Sequence, residues 1–333
     1  MKKSTKKIVS ALAGSSMLAS GAVAQAAAQP SVTVAEAQAS EFSKVANIEG
    51  EFIFNQDQLT PADEVFNLFG TVLTGACAAP SFMTETSIET HYINVGGKIK
   101  KAYTVNLADL SGKEESKVMS CFCATAPASA NARITGVKLE DVLSPAELSE
   151  DVNTVTVRGA DGYGLSLPLQ YALDHKAMFV YKLNDENLPC GTQFWVPETV
   201  AKYFTRNVVD IELTAEAELP AVEQRDESFR AEVAILNKMA KDTFAPGDML
   251  MFEGYADDCG SAVTSVEFSL DGGETWTAFD TDGATAERWV YWNFTMQAPE
   301  AGDYQLSVRA RTENGTVSPL TAKLDFTVAQ PAV

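Results

Sequence analysis

Two cysteines in the middle of the chain, Cys121 and Cys123, end an apolar run that begins at Ser116. A thiolate is a soft metal ligand and a strong nucleophile, so a thiol at a strand end can do chemistry when a pocket adjoins it. Arg133 follows, and its planar guanidinium can hold an oxyanion or a phosphate through paired hydrogen bonds. An Asp-Gly-Tyr turn then brings the hydroxyl of Tyr163. These residues predict a thiol site with an anion-binding side; the simpler interpretation is an inert buried thiol, a solvated arginine and a surface turn.

The first 28 residues have the composition of an export signal. Four lysines between Lys2 and Lys7 precede an apolar run from Ile8 to Ala24, and the alanines that follow offer cleavage sites. We therefore predict that residues 1–28 are a signal peptide and that the mature protein works in the periplasm or outside the cell. The n-region has lysines where a twin-arginine signal has its arginine pair, which favours the general secretory route. No later run reaches the roughly 18 apolar residues of a spanning helix, so no membrane span is predicted.

The cysteine count restricts how the thiols are used. The chain has five cysteines, and in an exported protein this odd number leaves at least one thiol free, bound to a metal or paired with another chain. Cys121 and Cys123 are two residues apart, so on a strand both side chains face the same side and are poorly placed for a disulfide with each other.

Charge and composition restrict the partners. Removing the four lysines of the signal takes the formal net charge from −20 to −24, and so acidic a protein repels nucleic acid and anionic lipid. We exclude nucleic-acid binding and expect small-molecule or protein partners. Hydrophobic residues make up 46% of the chain, which is enough for sizeable cores, and the length suits two domains.

The pattern along the mature chain predicts where these domains lie. Residues 29–45 have no strong period and are predicted to be a flexible leader. In residues 46–213, short strands and short helices are interleaved without regular βαβ units, which predicts an α+β domain. Residues 214–230 are rich in Ala and Glu and are predicted to be a linker. Residues 231–333 have strand-like runs separated by turns such as Asp271-Gly-Gly, the signature of an antiparallel sandwich.

Two segments carry a resemblance to a known family. Asn131 to Leu139 reads Asn-Ala-Arg-Ile-Thr-Gly-Val-Lys-Leu, and Val263 to Trp276 is followed by Arg288-Trp-Val-Tyr-Trp. Both resemble segments of the molybdenum-cofactor oxidoreductases of the sulfite oxidase family, and the resemblance covers about residues 88 to 325. It implies a mixed-sheet, α+β sulfite oxidase-like domain followed by an all-β immunoglobulin-like dimerisation domain.

The resemblance also implies roles for single residues. In the family, a strand-end cysteine binds molybdenum, which is also held by the dithiolene of molybdopterin. Cys123 fits this position better than Cys121 because a small residue follows it, and Cys121 is the second choice. The Tyr163 hydroxyl is implied on the substrate side of the metal, with Arg133 binding an oxyanion or the pterin phosphate. The other implied cofactor-binding residues are Asn131, Lys202 and Arg206.

Two functions follow from these residues. The first is an exported oxidoreductase with a molybdenum-molybdopterin cofactor that performs oxygen-atom transfer on a small oxyanion or sulfoxide. Its electrons leave to a redox partner protein, and a homodimer is implied through the second domain. The second is a non-catalytic scaffold or binding protein that has lost the cofactor. Thr60 to Phe69 favours the second, since it has no basic residue where the family has an Arg-Asn-His type segment. The family's long basic loop is also shortened here, to Pro189 to Pro197.

Overall fold

The structure is a computed structural model that describes residues 42–62, 64–65, 91–188, 191–237, 239 and 243–329. The predicted signal peptide and most of the predicted leader lie outside the described residues, as do Cys77 and Cys190. Within the described ranges, no helix has the length and apolar character needed to cross a membrane.

Strands dominate the described chain. In order they are β1 (Glu51–Asn55), β2 (Tyr92–Gly97), β3 (Tyr103–Asn106), β4 (Glu115–Phe122), β5 (Ser129–Lys138), β6 (Thr154–Gly159), β7 (Ser166–Pro168), β8 (Met178–Leu183), β9 (Glu186–Asn187), β10 (Gln193–Trp195), β11 (Val208–Thr214), β12 (Glu232–Ile235), β13 (Thr243–Phe244), β14 (Met249–Asp257), β15 (Val263–Ser269), β16 (Thr277–Asp280), β17 (Val290–Gln297), β18 (Gly302–Thr312) and β19 (Ala322–Val328). The α-helices are α1 (Leu139–Leu143) and α2 (Leu169–Asp174), and 3-10 helices lie at Leu107–Lys113, Ala201–Tyr203 and Glu227–Phe229.

The α+β class predicted for the first domain is wrong, because strands account for 46% of the structure and helices for 11%. The segments that suggested helices form only short pieces. Asn106 caps a 3-10 helix, while α1 and α2 contain five and six residues. Helix nucleation is costly and such short helices gain little from propagation, so they connect strands and do not build a layer. The described chain is mainly β.

The first lobe, defined by β2 to β11, has two sheets around one hydrophobic cluster. Their strand orders are β10-β8-β5-β4, with β9 on β8, and β3-β2-β11-β6-β7. Gly136 lies at an irregularity between β5 and β8, where a Cβ atom would come within 2.0 Å of the Phe179 carbonyl oxygen. Only glycine allows this approach, so Gly136 keeps β5 paired to β8 on one side and to β4 on the other.

The second lobe, defined by β1 and β12 to β19, packs two sheets around a second cluster. Their orders are β1-β17-β14-β12 and β13-β19-β18-β15-β16. Phe268 and Phe294, one from each sheet, stack with ring centroids 4.4 Å apart. β1 precedes the first lobe in the chain yet pairs with β17, because Phe52 packs against this aromatic cluster. The chain therefore crosses between the lobes twice, and the domain boundaries given above stay predictions.

The segment after β1 joins the two lobes. The Gln56 side chain donates to the carbonyl oxygens of Thr285 and Arg288 at 3.0 and 2.7 Å. The Trp289 indole donates to the Gln58 carbonyl oxygen at 3.0 Å. Because these bonds satisfy main-chain groups at the lobe interface, they hold the segment in one path across the start of β5.

Candidate functional site

Cys123 follows β4 directly and starts the turn that leads into β5. Its N–H donates to the Ala128 carbonyl oxygen at 2.9 Å, which closes the turn. The side chain is fully buried, and the thiol is not in a disulfide. The turn reads Ala-Thr-Ala-Pro-Ala after the cysteine, so polar partners of the thiol must come mainly from other elements.

Cys121, the second choice for the thiol ligand, has a different setting. It lies inside β4 opposite Ala130 and belongs to the hydrophobic cluster of the first lobe. Cys123 is buried at the turn and is not part of that cluster as the structure describes it. Across the described ranges, no group of three or more His, Cys, Asp or Glu side chains is arranged to hold a metal ion.

A buried arginine, Arg225, covers the Cys123 turn. Its guanidinium carbon lies 5.4 Å from the centre of the Phe122 ring, and its Nη2 is 3.5 Å from the Ala126 carbonyl oxygen. The next residue, Asp226, donates its N–H to the Ala124 carbonyl oxygen at 2.8 Å. The chain that leaves the first lobe is thus bound to the turn that carries the thiol.

Arg225 is only partly satisfied by the protein. Its Nη2 pairs with the Glu232 carboxylate of the second lobe, while Nε and Nη1 are buried without a partner among the described residues. A buried N–H group of a charged side chain without a hydrogen-bond acceptor destabilises the fold. The position therefore suits a bound anion or an ordered water molecule. Arg225 lies in the segment predicted to be a linker, and no local pattern in the sequence indicates that it is buried.

Tyr163 and Lys202 lie together beside the first lobe's second sheet. The Tyr163 hydroxyl donates to the Lys202 carbonyl oxygen at 2.6 Å, and the Lys202 ammonium pairs with Glu223. An open cavity of about 500 Å³ is lined by Lys202, Leu165 and Tyr203 among others. Phe122 forms a bridge with Val200, so the strand before Cys123 adjoins the segment that Tyr163 holds.

Arg206 joins this group at the end of β6. The last residue of β6, Gly159, packs against the backbone of Arg206. A Cβ atom at position 159 would lie within 2.4 Å of the Arg206 carbonyl oxygen. Ala160 donates its N–H to the Asn207 carbonyl oxygen at 2.9 Å. Arg206 is partly buried, and no ion pair of its guanidinium is formed with any residue in the described ranges. The structure therefore brings Tyr163, Lys202 and Arg206 into one neighbourhood.

Arg133 and Asn131 lie on a different side. The Arg133 guanidinium is bound to Asp185, at 2.9 Å, in the turn between β8 and β9, and 41% of the side chain is exposed. The Asn131 side chain is buried and donates to the carbonyl oxygens of Gln56 and Gln58 at 2.8 and 3.0 Å. Arg133 and Asn131 thus contact the β8–β9 turn and the segment after β1, and not the segment around Lys202 to which Tyr163 is bonded.

Buried carboxyl groups of the second lobe back the thiol turn. The Asp257 carboxyl accepts from the hydroxyls of Ser120, at 3.3 Å, and Ser129. Burial raises the pKa of Asp257 from 3.8 to about 7, against the opposing effect of the Ser129 hydrogen bond and the Arg225 charge. Burial also raises the pKa of Glu232, although Arg225 opposes this shift.

Asp257 should make stability depend on pH. Its pKa is raised in the folded state, so the folded protein binds the proton more tightly and the stabilisation is lost as pH rises from about 4 through 7. Between pH 5 and pH 8 we expect this group to remove about 2–3 kcal/mol from the free energy of unfolding. Urea unfolding of Asp257→Asn should lack this component, whereas the exposed-site control Asp109→Asn should keep it. Equal pH dependence in wild type and Asp257→Asn would contradict the assignment.

Residues 80–219 match the family model described as oxidoreductase molybdopterin binding domain. The mitochondrial sulfite oxidases of Macaca fascicularis and Homo sapiens are each 27% identical to this chain, over 217 and 218 residues. These matches cover 53% of this chain and 40% of each relative, so the aligned part is less than half of the relatives' length.

A solved structure extends the likeness of the fold. The sulfane dehydrogenase SoxCD of Paracoccus pantotrophus superposes with a TM-score of 0.57 and covers 88% of this chain and 90% of that one. Its sequence identity is 19%, so this likeness concerns the fold alone. The family model and the two sulfite oxidases confirm the resemblance seen in the sequence. Over residues 80–219, the chain is thus similar to the molybdopterin oxidoreductases of the sulfite oxidase type.

Proposed function

We propose that this protein is an exported molybdenum-cofactor oxidoreductase that performs oxygen-atom transfer on a small oxyanion or sulfoxide. One observation carries the proposal: the fully buried Cys123 lies at a turn covered by Arg225, whose Nε and Nη1 have no partner among the described residues. A buried thiol and an unsatisfied cation at the same turn suit a soft metal and an anionic ligand.

The residues present fit the metal end of the cofactor. Cys123 would supply the protein thiolate, and Arg206 and Lys202 would be the cations that hold the pterin phosphate. When bound, the cofactor supplies the two-electron change that accompanies oxygen-atom transfer. The electrons then leave to a redox partner protein.

Arg225 would bind the oxyanion. In a site closed to water, a guanidinium attracts an anion far more strongly than it does in solution, and its planar fork fits two oxygen atoms at once. Glu232 already neutralises part of its charge, so the site prefers an ion of low charge that is oriented by hydrogen bonds.

Tyr163 would position the segment around Lys202 and would not itself react with the substrate. Its one hydroxyl proton goes to the Lys202 carbonyl oxygen, so the side chain fixes the segment next to β4. We expect Tyr163→Phe to lower kcat/KM by about tenfold, the value of one net hydrogen bond, with the fold unchanged. Tyr103→Phe removes a comparable bond to the Val142 carbonyl oxygen, at 2.9 Å, and should leave kcat/KM unaltered. Equal effects of the two substitutions would contradict a positioning role for Tyr163.

Dye-linked turnover tests the reaction. Protein purified with its cofactor should oxidise sulfite or a related small oxyanion, or reduce a small sulfoxide, with an artificial electron carrier. Turnover of at least one compound supports the proposal. A cofactor-loaded protein that turns over none of them contradicts it.

A second candidate function is a scaffold or binding protein without cofactor. Two ion pairs favour it, because Arg133 is bound to Asp185 and Lys202 to Glu223, which leaves fewer cations for a pterin phosphate. A protein that folds and is exported at full yield in cells unable to make molybdopterin, and that has no turnover from wild-type cells, would support this candidate.

The second lobe offers a surface for a homodimer. Ile53, Met249 and Met251 are exposed by 68%, 61% and 54% on β1 and β14, at the outer side of one sheet. Exposed apolar groups gathered on one sheet face are typical of interaction surfaces.

A further inference from the structure

A half-open cavity of about 370 Å³ lies between the segment after β1 and the outer face of the sheet that contains β14 and β17. Three aromatic side chains form the wall on the sheet: Tyr255, Trp289 and Tyr291. Tyr255 of β14 and Tyr291 of β17 are paired neighbours in the sheet register. The rings of Tyr255 and Trp289 stack with their centroids 4.5 Å apart. The opposite wall is formed by Gln58 to Pro61 and Glu64. Cys123, Arg225, Tyr163, Lys202 and Arg206 are not among the residues that line this cavity.

The charges around the cavity have one sign. Its lining within the described ranges contains no Lys, Arg or His, whereas Glu64 lies at its exposed edge. No cation among the residues that the structure describes forms an ion pair with Glu64. The chain as a whole carries a formal charge of −20, so the field at the entrance attracts cations and repels anions.

We infer that this cavity binds a small organic cation, a quaternary ammonium compound. The faces of Tyr and Trp rings attract such cations through their quadrupole, and a nearby carboxylate adds to this attraction. Methyl groups on the cation also remove the need for the hydrogen-bond acceptors that a primary ammonium would require. The carbonyl oxygen of Gln58, one acceptor in the wall, already accepts hydrogen bonds from Trp289 and Asn131 at 3.0 Å each. The inference does not depend on the molybdenum cofactor.

Choline and its uncharged carbon isostere, dimethylbutanol, separate cation binding from simple apolar filling. Isothermal titration of the full mature protein should give a Kd for choline of about 1 mM or lower. The isostere, which has the same shape without the charge, should bind at least tenfold more weakly. No measurable choline binding would overturn the inference, and so would equal binding of the two compounds.

Two pairs of variants locate the site. Tyr291→Leu should weaken choline binding about fivefold or more because the ring is lost, while Tyr291→Phe keeps the ring and should stay within about twofold of wild type. Glu64→Gln should weaken choline binding, whereas Glu51→Gln, an exposed carboxylate on β1, should not. Tyr255 is left unchanged because its hydroxyl donates to Glu232 at 3.0 Å. Choline binding that is unaffected by Tyr291→Leu and Glu64→Gln would place the cation elsewhere and overturn the inference.

Discussion

Cys123→Ser should abolish both bound molybdenum and turnover while the protein still folds. The thiolate is the one protein ligand that the proposed site offers to the metal, and a serine hydroxyl is a hard donor that remains protonated near neutral pH. The side chain is buried at a turn, and the substitution changes its volume little, so the free energy of unfolding should change by only about 1–2 kcal/mol. Metal analysis, dye-linked turnover and urea unfolding of one preparation measure the three quantities.

Cys121→Ser is the matched control. Cys121 is in the strand and in the hydrophobic cluster of the first lobe, so its substitution should cost stability but leave molybdenum in place. The reverse pattern, with metal lost from Cys121→Ser and kept by Cys123→Ser, would assign the ligand to the second choice. Metal retained by both variants would rule out thiolate binding by this segment.

Arg225→Met should damage stability and substrate binding together. It leaves the Glu232 carboxyl buried without its cation, and breaking a buried ion pair from one side costs about 3–5 kcal/mol of unfolding free energy. It also removes the unpaired N–H donors beside the Cys123 turn, so we expect KM for the oxyanion to rise about tenfold to a hundredfold. Urea unfolding and steady-state kinetics measure these two effects.

Two further variants separate the effects. Arg225→Met with Glu232→Gln removes the unpaired charge and should recover much of the stability, while KM stays high. Arg230→Met breaks another ion pair of the same stretch, with the buried Asp258 at 2.6 Å, and should lower stability with KM unchanged. If Arg230→Met raised KM as much as Arg225→Met, the effect would be structural and Arg225 would have no binding role.

Much of the second lobe could be predicted from sequence. Val263–Ser269 and Ala322–Val328 are strands in the part of the chain where strand-like runs separated by turns are predicted, because strand preference and glycine turns are local properties of the sequence. In the first lobe, β5 was read as a motif and not as a strand. Its Ser, Ala, Asn and Gly residues have weak strand preference, and only pairing with β4 and β8 on both sides makes them extended.

The site was predicted in part. Cys123 and Tyr163 are indicated by local features of the sequence, a strand end and an Asp-Gly turn. In the structure Cys123 is buried, and the Tyr163 hydroxyl is held by its hydrogen bond to the Lys202 carbonyl oxygen. The Arg133 contact with Asp185 and the burial of Arg225 depend on residues far away in the chain, so no local pattern indicates them. For the same reason the cavity at Tyr291 could not be predicted, since its two walls come from segments that are far apart in the chain.

The molybdenum content of the wild-type protein, purified from its export compartment in cells that make molybdopterin, tests the central claim most directly. The proposal predicts about one molybdenum atom for each chain, released together with pterin when the protein is unfolded. A folded protein that carries neither molybdenum nor pterin would contradict it.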